Sequence, residues 1–514
     1  MFILKNVGMS KKRGITGRLK FFARSARFFL HYGRFFKKLT GVFSFLPFEE
    51  VFMAKIGGFG KEFWLVNAIQ FFDGLSYFSV IIILSMFLTD NVGFSDYEAG
   101  AWQGYFFLFI TAFMFTVGSI CDVIGDKKSF IFATILLMIS RLGMGVFPGL
   151  LEGRMLQYSI GGLLFIMALG TAMLVTITST ALRHFTNKDN RGKGFNLYYL
   201  IMNIGAMLAG FVVCDGFREV LGPVKGNLAI FTFGFVMSAI CFLCAFLINE
   251  DNMEEKDEDD GSGEVKTPLK IFAEVWKEKA FQKLVLFLCL TLGVRLVFTH
   301  QTMVMPKYYL RTMFADFQLG AVNSLNPLII TVGLALTMNF IGKFNIVKLL
   351  VVGMTLSALS LLFLAFPGEW FLAIPGINNL DQAYRFVIIA QILVFAVGEL
   401  IFSPRFTEYV ASVAPKDKVA SYMGLSALPM FIARPINGFV SGLLIASLCY
   451  DGVKAKIETG NIEYLESPEF MWMIYFALAI ISPIAVVALK RILTQDNTEA
   501  APVEAPKEEA KAEA

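Results

Sequence analysis

The chain has 514 residues, 56% hydrophobic and 17% charged, with 55 phenylalanines and a formal net charge of +4, a balance too apolar for a soluble domain. Three histidines and the lack of a Gly-Lys-Ser/Thr phosphate loop exclude metalloenzyme and ATP-driven pump readings. No nucleophile, base and oxyanion donor converge from motif spacing, so neither an enzyme nor a cofactor is expected, and no nucleic-acid partner is expected either.

In chain order, residues 1–60 come first. Lys11, Lys12, Arg13, Arg18, Lys20, Arg24, Arg27, Arg34, Lys37 and Lys38 alternate with Phe pairs, and no acid precedes Glu49. The pattern suits a basic amphipathic segment on anionic cytoplasmic lipid. It lacks the apolar core and small-residue site of a signal peptide, so cleavage is not expected; an organelle transit peptide is the alternative.

Crossing a hydrocarbon core of roughly 30 Å takes about 20 mostly apolar residues. Such runs lie at Phe63–Leu88, Ala101–Ile120, Ser129–Phe147, Leu156–Leu182, Phe195–Cys214 and Leu228–Ile248, and again at Leu284–Val304, Val322–Ile341, Leu349–Phe366, Phe386–Val410, Val419–Leu448 and Phe470–Leu489. The expectation is an all-α integral membrane protein of about twelve transmembrane helices, with six in residues 61–248 and six in residues 284–492. Between them, residues 249–283 carry the acidic run Glu254–Asp260 and read as a flexible linker. In that linker Pro268–Lys283 fits either a membrane-surface helix or plain linker. Residues 493–514 read as a disordered tail.

Cytoplasmic loops are enriched in Lys and Arg. Lys127 and Lys128, Arg183, Lys188, Arg191 and Lys193, and Lys416 and Lys418 fall in alternate loops, whereas Asp90–Glu98 holds only acids. Both termini are therefore expected in the cytoplasm, with the protein multi-pass in the cell (inner) membrane. The six cysteines are scattered through apolar runs; Cys241 and Cys244 read as packing rather than metal ligands.

Gly118, Asp122, Gly125, Lys127 and Lys128 stand in the connection between the second and third spans. They resemble the major facilitator loop pattern, with Val123 where that family has arginine; a solvated turn is the plain alternative. An aspartate there can hold a neighbour's helix N-terminus or basic groups in one access state. Three further stretches are similar to the proton-dependent oligopeptide transporter family of the major facilitator superfamily: Arg191–Ala206, Leu325–Ile330, and Gly398–Pro404 followed by Ala414-Pro415 and Tyr422–Gly424. The resemblance is collinear from Phe63 to Leu489. It implies a major facilitator fold of two six-helix bundles and a small-molecule substrate such as a di- or tripeptide, with protons as a coupling ion.

The chain reads as a divergent member. Where the family's first helix has E-x-x-E-R-F, this chain has Asn67-Ala68-Ile69-Gln70-Phe71-Phe72, whose amides hydrogen-bond but do not titrate. The family's fourth-helix lysine aligns with Val175 and its seventh-helix acid with His300. Ionisable groups inside spans are functional candidates by default: Asp73, Arg141, Arg295, His300, Glu399, Arg405, Glu408 and Arg434. Gln70, Asp73 and Tyr77 share one face of the first span and suit a cavity lining; Asp73 also suits an arginine partner. On the fifth span Asn196, Tyr199 and Asn203 form a polar stripe. Arg295 and His300 stand about 140° apart around a helix, and the alignment turns His300 to the cavity and Arg295 elsewhere; a buried structural histidine is the alternative. Glu399 and Ser403 share a face, Pro404 permits a kink that suits a gate, and Arg434-Pro435 with Asn437 is expected to break the eleventh span. Gly438 and Gly442 suit close helix packing.

The resulting expectation is an alternating-access transporter importing short peptides or a peptide-like solute. A gradient-independent facilitator, an exporter of another small organic solute, and a non-transporting sensor or anchor are the alternatives.

Overall fold

The computed structural model describes residues 58–187, 190–253, 276, 279–313, 318–341, 344–413 and 428–489. The basic N-terminal segment, most of the linker, Lys188, Lys416, Lys418, the stretches Ala414-Pro415 and Tyr422–Gly424, the start of the eleventh span and the tail lie outside the described residues. The chain divides into two compact units, Met1–Lys61 and Glu62–Ala514, and the helical body belongs to the second.

Every regular element among the described residues is helical, because hydrocarbon offers backbone groups no partner outside the chain. The helices are α1 (Lys61–Asp90), α2 (Asp96–Ile124), α3 (Asp126–Val146), α4 (Gly153–His184), α5 (Arg191–Leu221), α6 (Pro223–Phe246), α7 (Lys279–Leu290 and Leu292–Met303, continued by Met305–Thr312), α8 (Leu319–Ile341), α9 (Ile346–Ala365), α10 (Leu380–Val413), α11 (Leu428–Leu448) and α12 (Pro468–Ala488). Ten of these are long and apolar enough to cross a membrane, and an eleventh is if the two parts of α7, bent by 48°, count as one span. The remaining expected span is α8, whose described apolar stretch, Leu319–Leu334, is shorter.

Local chemistry sets the ends. A capping box starts α2: Ser95 Oγ accepts from Glu98 N at 3.3 Å and Glu98 Oε2 accepts from Ser95 N at 2.8 Å. The α2–α3 connection is a single residue, Gly125 at φ +85°, a left-handed geometry that glycine adopts without penalty. The stretch from Gly118 read as a loop is thus mostly the last turns of α2, extending the helix beyond the expected Ile120. The bend in α7 falls at Thr291, whose Oγ1 donates to Leu288 O at 2.8 Å. Ser482 of α12 accepts the N–H of Val294 at 3.2 Å, satisfying a donor exposed by the break.

Of the two prolines singled out inside spans, Pro435 departs from the expected break. Pro404 lies inside α10, which runs unbroken, and Pro435 lies inside an equally unbroken α11. Pro435 removes the bond to the carbonyl of Phe431. That oxygen is taken by Thr111 Oγ1 of α2 at 3.1 Å, so the helix is held from the side.

The first half packs α3 between α4 and α6; the second packs α9 against α10 and α12. The halves meet along α2–α11 and α5–α8. The α2–α11 seam is closed by glycines: a methyl group added at Gly100 would lie 2.3 Å from Gly442 Cα, and one at Gly438 would lie 2.4 Å from Gly104 Cα. On the α5–α8 seam a π-helical turn, Ala209–Cys214, approaches Gly320, and Ser324 Oγ donates to Met207 O at 2.7 Å and accepts from Phe211 N at 3.1 Å.

Gly442→Leu is expected to force the seam apart, an overpacking penalty of about 1–3 kcal/mol. A thermal unfolding midpoint several degrees lower in lipid would show it; an unchanged midpoint would mean the glycines are not what sets the approach.

Candidate functional site

The charged residues inside the spans separate into two groups. In the first half, Asp73 of α1 accepts from Arg141 Nη2 of α3 at 2.7 Å, and Arg141 Nη1 donates to Ser238 Oγ of α6. Arg141 is 1% exposed. The pair ties three helices together, so Asp73 is occupied as an arginine partner rather than offered to a solute.

The second group lies where α1, α5, α7, α10 and α11 converge. Glu399 of α10 accepts from Asn326 Nδ2 of α8 at 3.0 Å and interacts electrostatically with Arg295 of α7 and Tyr199 of α5. Arg295 stacks on Phe298, Phe402 and Phe406, its guanidinium carbon 4.3 Å from the Phe406 ring centre. Its Nε is buried without a hydrogen-bond partner. Arg434 of α11 lies over Phe107 of α2 at 5.4 Å and is within electrostatic range of Tyr77 and Arg295. Neither arginine makes an ion pair among the described residues. Arg295 is thus in electrostatic range of both Glu399 and Arg434, and aromatic faces supply part of the compensation.

On α7, His300 takes its alternative reading, a buried structural histidine. His300, 1% exposed, packs 3.9 Å from the Tyr475 ring centre and beside Trp472 of α12, inside the second half. Arg295 is the residue turned to Glu399. The angle between them leaves only one on the face toward α10 and α11, and the apolar flank of α12 takes the imidazole.

Other candidates have local partners. Asn67 Nδ2 donates to Phe63 O at 2.9 Å and Asn203 Nδ2 to Tyr199 O at 2.8 Å, each along its own helix. Asn67 Oδ1 is buried without a partner. Gln70, Tyr77 and Ser403 are partly buried and Tyr199 is exposed. Arg405 pairs with Glu408 one helical turn on.

Beside the α2–α3 turn, Lys127 N donates to Glu250 Oε1 at 2.9 Å, and Lys127 Nζ lies over the Phe246 ring. Glu250 thus answers the unpaired N–H groups and positive dipole end of α3. Asp126 meets His184 Nδ1 of α4 at 2.7 Å. Glu250, Asp126 and His184 were not singled out from the sequence; an acid in the first turn of a span and a histidine in the last were the available signals.

At the end carrying the α1–α2 and α7–α8 connections, an ion cluster latches the halves together. Asp96 of α2 accepts from Lys307 Nζ at 2.5 Å and, in a fork, from Arg311 Nη1 at 2.8 Å and Nη2 at 3.0 Å. Arg311 Nη1 also donates to Cys449 O at 2.7 Å. Burial, the largest influence, brings the Lys307 ammonium below the usual lysine value against the pull of Asp96. For Arg311, burial acts downward but the hydrogen bond and charge of Asp96 outweigh it. Nearby, Asp215 of α5 accepts from Gly320 N and Ala321 N, both at 2.6 Å, capping the start of α8. These residues flank the apolar runs, so hydropathy along the sequence does not mark them.

The chain matches the family model described as Major Facilitator Superfamily over residues 66–437. It is similar to Dipeptide and tripeptide permease B of Aliivibrio fischeri (strain MJ11), at 22% identity over 496 residues, 85% of this chain and 96% of that protein. It is also similar to Dipeptide and tripeptide permease B of Edwardsiella piscicida, at 25% identity over 152 residues, 29% of this chain and 30% of that one. Among solved structures, a POT family transporter in complex with 5-aminolevulinic acid superposes with a TM-score of 0.66 at 14% identity, covering 84% of this chain and 96% of that chain. Peptide transporter POT in complex with sulfate gives 0.62 at 16% identity, covering 85% and 95%. At these identities the structural likeness speaks for the fold.

Removing one partner of a buried ion pair strands the other, at about 3–5 kcal/mol. Asp73→Asn is therefore expected to lower the thermal midpoint in lipid far more than Glu399→Gln, because the Glu399 carboxylate is hydrogen-bonded by a neutral amide. Equal effects on the two midpoints would contradict the division into a structural pair and an available acid.

Proposed function

The chain belongs to the Major Facilitator Superfamily, a multi-pass membrane transporter rather than an enzyme, and from that premise we propose that it carries a di- or tripeptide, or a similar small zwitterion, by alternating access. The observation that carries this reading is the charge inventory between the halves: Arg295 and Arg434 unpaired with acids among the described residues, and Glu399 held by one amide. A carboxylate meeting the arginines and an ammonium meeting Glu399 would complete that set, with charge-assisted bonds of about 1.5–3 kcal/mol each. The permease relatives support the same solute class.

In this reading the halves rock about the α2–α11 and α5–α8 seams. The latched end faces outward, both termini lie in the cytoplasm, and the described arrangement is the one closed to the outside. Asp122, Gly118, Gly125, Lys127 and Lys128 belong to the opposite gate, and Pro404 marks the part of α10 that moves. Residues 61–248 and 284–492 are the moving bundles. Coupling to protons falls to Glu399, the acid in electrostatic range of Arg295; Asn67 and Gln70 cannot take the proton. Their presence also favours a second reading, a facilitator indifferent to the proton gradient.

Purified protein in liposomes, given labelled di- and tripeptides with and without an inward proton gradient, distinguishes these. Gradient-driven uptake is expected, falling about tenfold or more in Glu399→Gln, and Arg434→Ala is expected to raise KM by about the tenfold that 1.4 kcal/mol represents. Uptake unaffected by the gradient would leave the facilitator. No peptide uptake by folded protein would overturn the peptide assignment.

A further inference from the structure

Beside the latch lies a cavity of ≈ 320 Å³ lined by Arg311, Asp451, Gly452, Lys454, Ala455 and Glu458, a volume at the lower end for small-molecule sites. It is formed by the last turn of the α7 extension and by the short helix Val453–Glu458 that follows α11, away from Glu399, Arg295 and Arg434 in the chain. One wall is the guanidinium that closes the latch.

Arg311 lines this space, and its donor count bears on what can bind there. A guanidinium has five N–H donors. Among the described residues three are used: Nη1 to Asp96 and to Cys449 O, and Nη2 to Asp96. The two left, Nε–H and the second Nη2–H, lie parallel along one edge, the geometry that receives a carboxylate through both oxygens. Arg311 thus presents one fork to Asp96 and leaves a second, equivalent fork. The rim adds an ammonium, Lys454, and two exposed carboxylates, Asp451 and Glu458, with Asp451 in electrostatic range of Arg311. Opposite charges facing a cavity of this size match a molecule carrying a carboxylate and an ammonium a short distance apart.

We propose that this cavity is a second binding site, for a small carboxylate–ammonium solute, and that its occupancy loosens the latch between Asp96 and Arg311. A carboxylate on the open edge shares the guanidinium's charge with Asp96 and weakens its hold, while Lys307 alone keeps a single-point contact. Solute at the mouth thereby favours opening of the end through which it enters. The proposal rests on the reading that the latched end opens during transport.

The test uses the full chain in lipid nanodiscs with spin labels at Glu152 and Asn378, exposed positions on the α3–α4 and α9–α10 connections of the two halves. Distances are measured with alanylalanine, with its C-terminal amide, and without either. The Asp96→Asn variant, which removes the latch carboxylate, is the reference for opening. A longer-distance population that grows severalfold with alanylalanine, fails to grow with the amide, and is lost in the cavity-filling Ala455→Trp variant and reduced in Glu458→Gln is the expected result. Ala455 and Glu458 are exposed, and a wild-type thermal midpoint for each shows that the latch and fold persist. Equal opening in the wild type and Ala455→Trp would overturn the site. So would no response to alanylalanine where Asp96→Asn does lengthen the distance. If Asp96→Asn itself leaves the distance unchanged, the latch fails and the proposal fails with it, irrespective of peptide uptake in liposomes.

Discussion

Inside hydrocarbon, a backbone N–H or C=O without a partner costs several kcal/mol, and no water is present to supply one. That requirement makes the chain helical, and it also governs the places where the helices are interrupted. Pro435 leaves the Phe431 carbonyl unpaired, and Thr111 of the opposite half supplies the donor. The bend at Thr291 exposes Val294 N, and Ser482 accepts it. The start of α8 presents free N–H groups, and Asp215 takes two of them. In each case the repair comes from another helix, so the irregularities are also the joints of the fold, two of them across the halves.

The same accounting sorts the charges. Arg141 and Asp73 neutralise each other with Ser238 completing the set, and the result stiffens the first half. Arg295 and Arg434 lie over aromatic faces and make no ion pair among the described residues, and Glu399, in electrostatic range of Arg295, is hydrogen-bonded by an amide. A buried charge without an opposite charge is expensive to keep. Three charges held without an ion pair among the described residues suit the proposed site completed by its cargo.

The seams and the latch differ in how they can respond. Glycine contacts between α2 and α11 are short-range and collapse if the helices separate by a fraction of a residue's width. Ionic contacts of Asp96 reach farther and can be exchanged for other anions. A structure with both has a stiff seam and an adjustable closure, which suits the proposed alternating access.

Much was legible in the sequence: the helical class, the positions of most spans to within a few residues, the collinear resemblance, and which ionisable residues enter the membrane. Those properties sum over a local window, and hydropathy is such a sum. What the tertiary structure decided was partnership. Asp73 met Arg141 from 68 positions away and Asp96 met Arg311 from 215. Arg295 rather than His300 turned to Glu399, and Pro435 left α11 whole because Thr111 stood opposite. The Gly118 stretch became helix because a lone Gly125 could make the turn. Partner choice depends on which side chains face each other after the helices pack, and no window along one chain contains both.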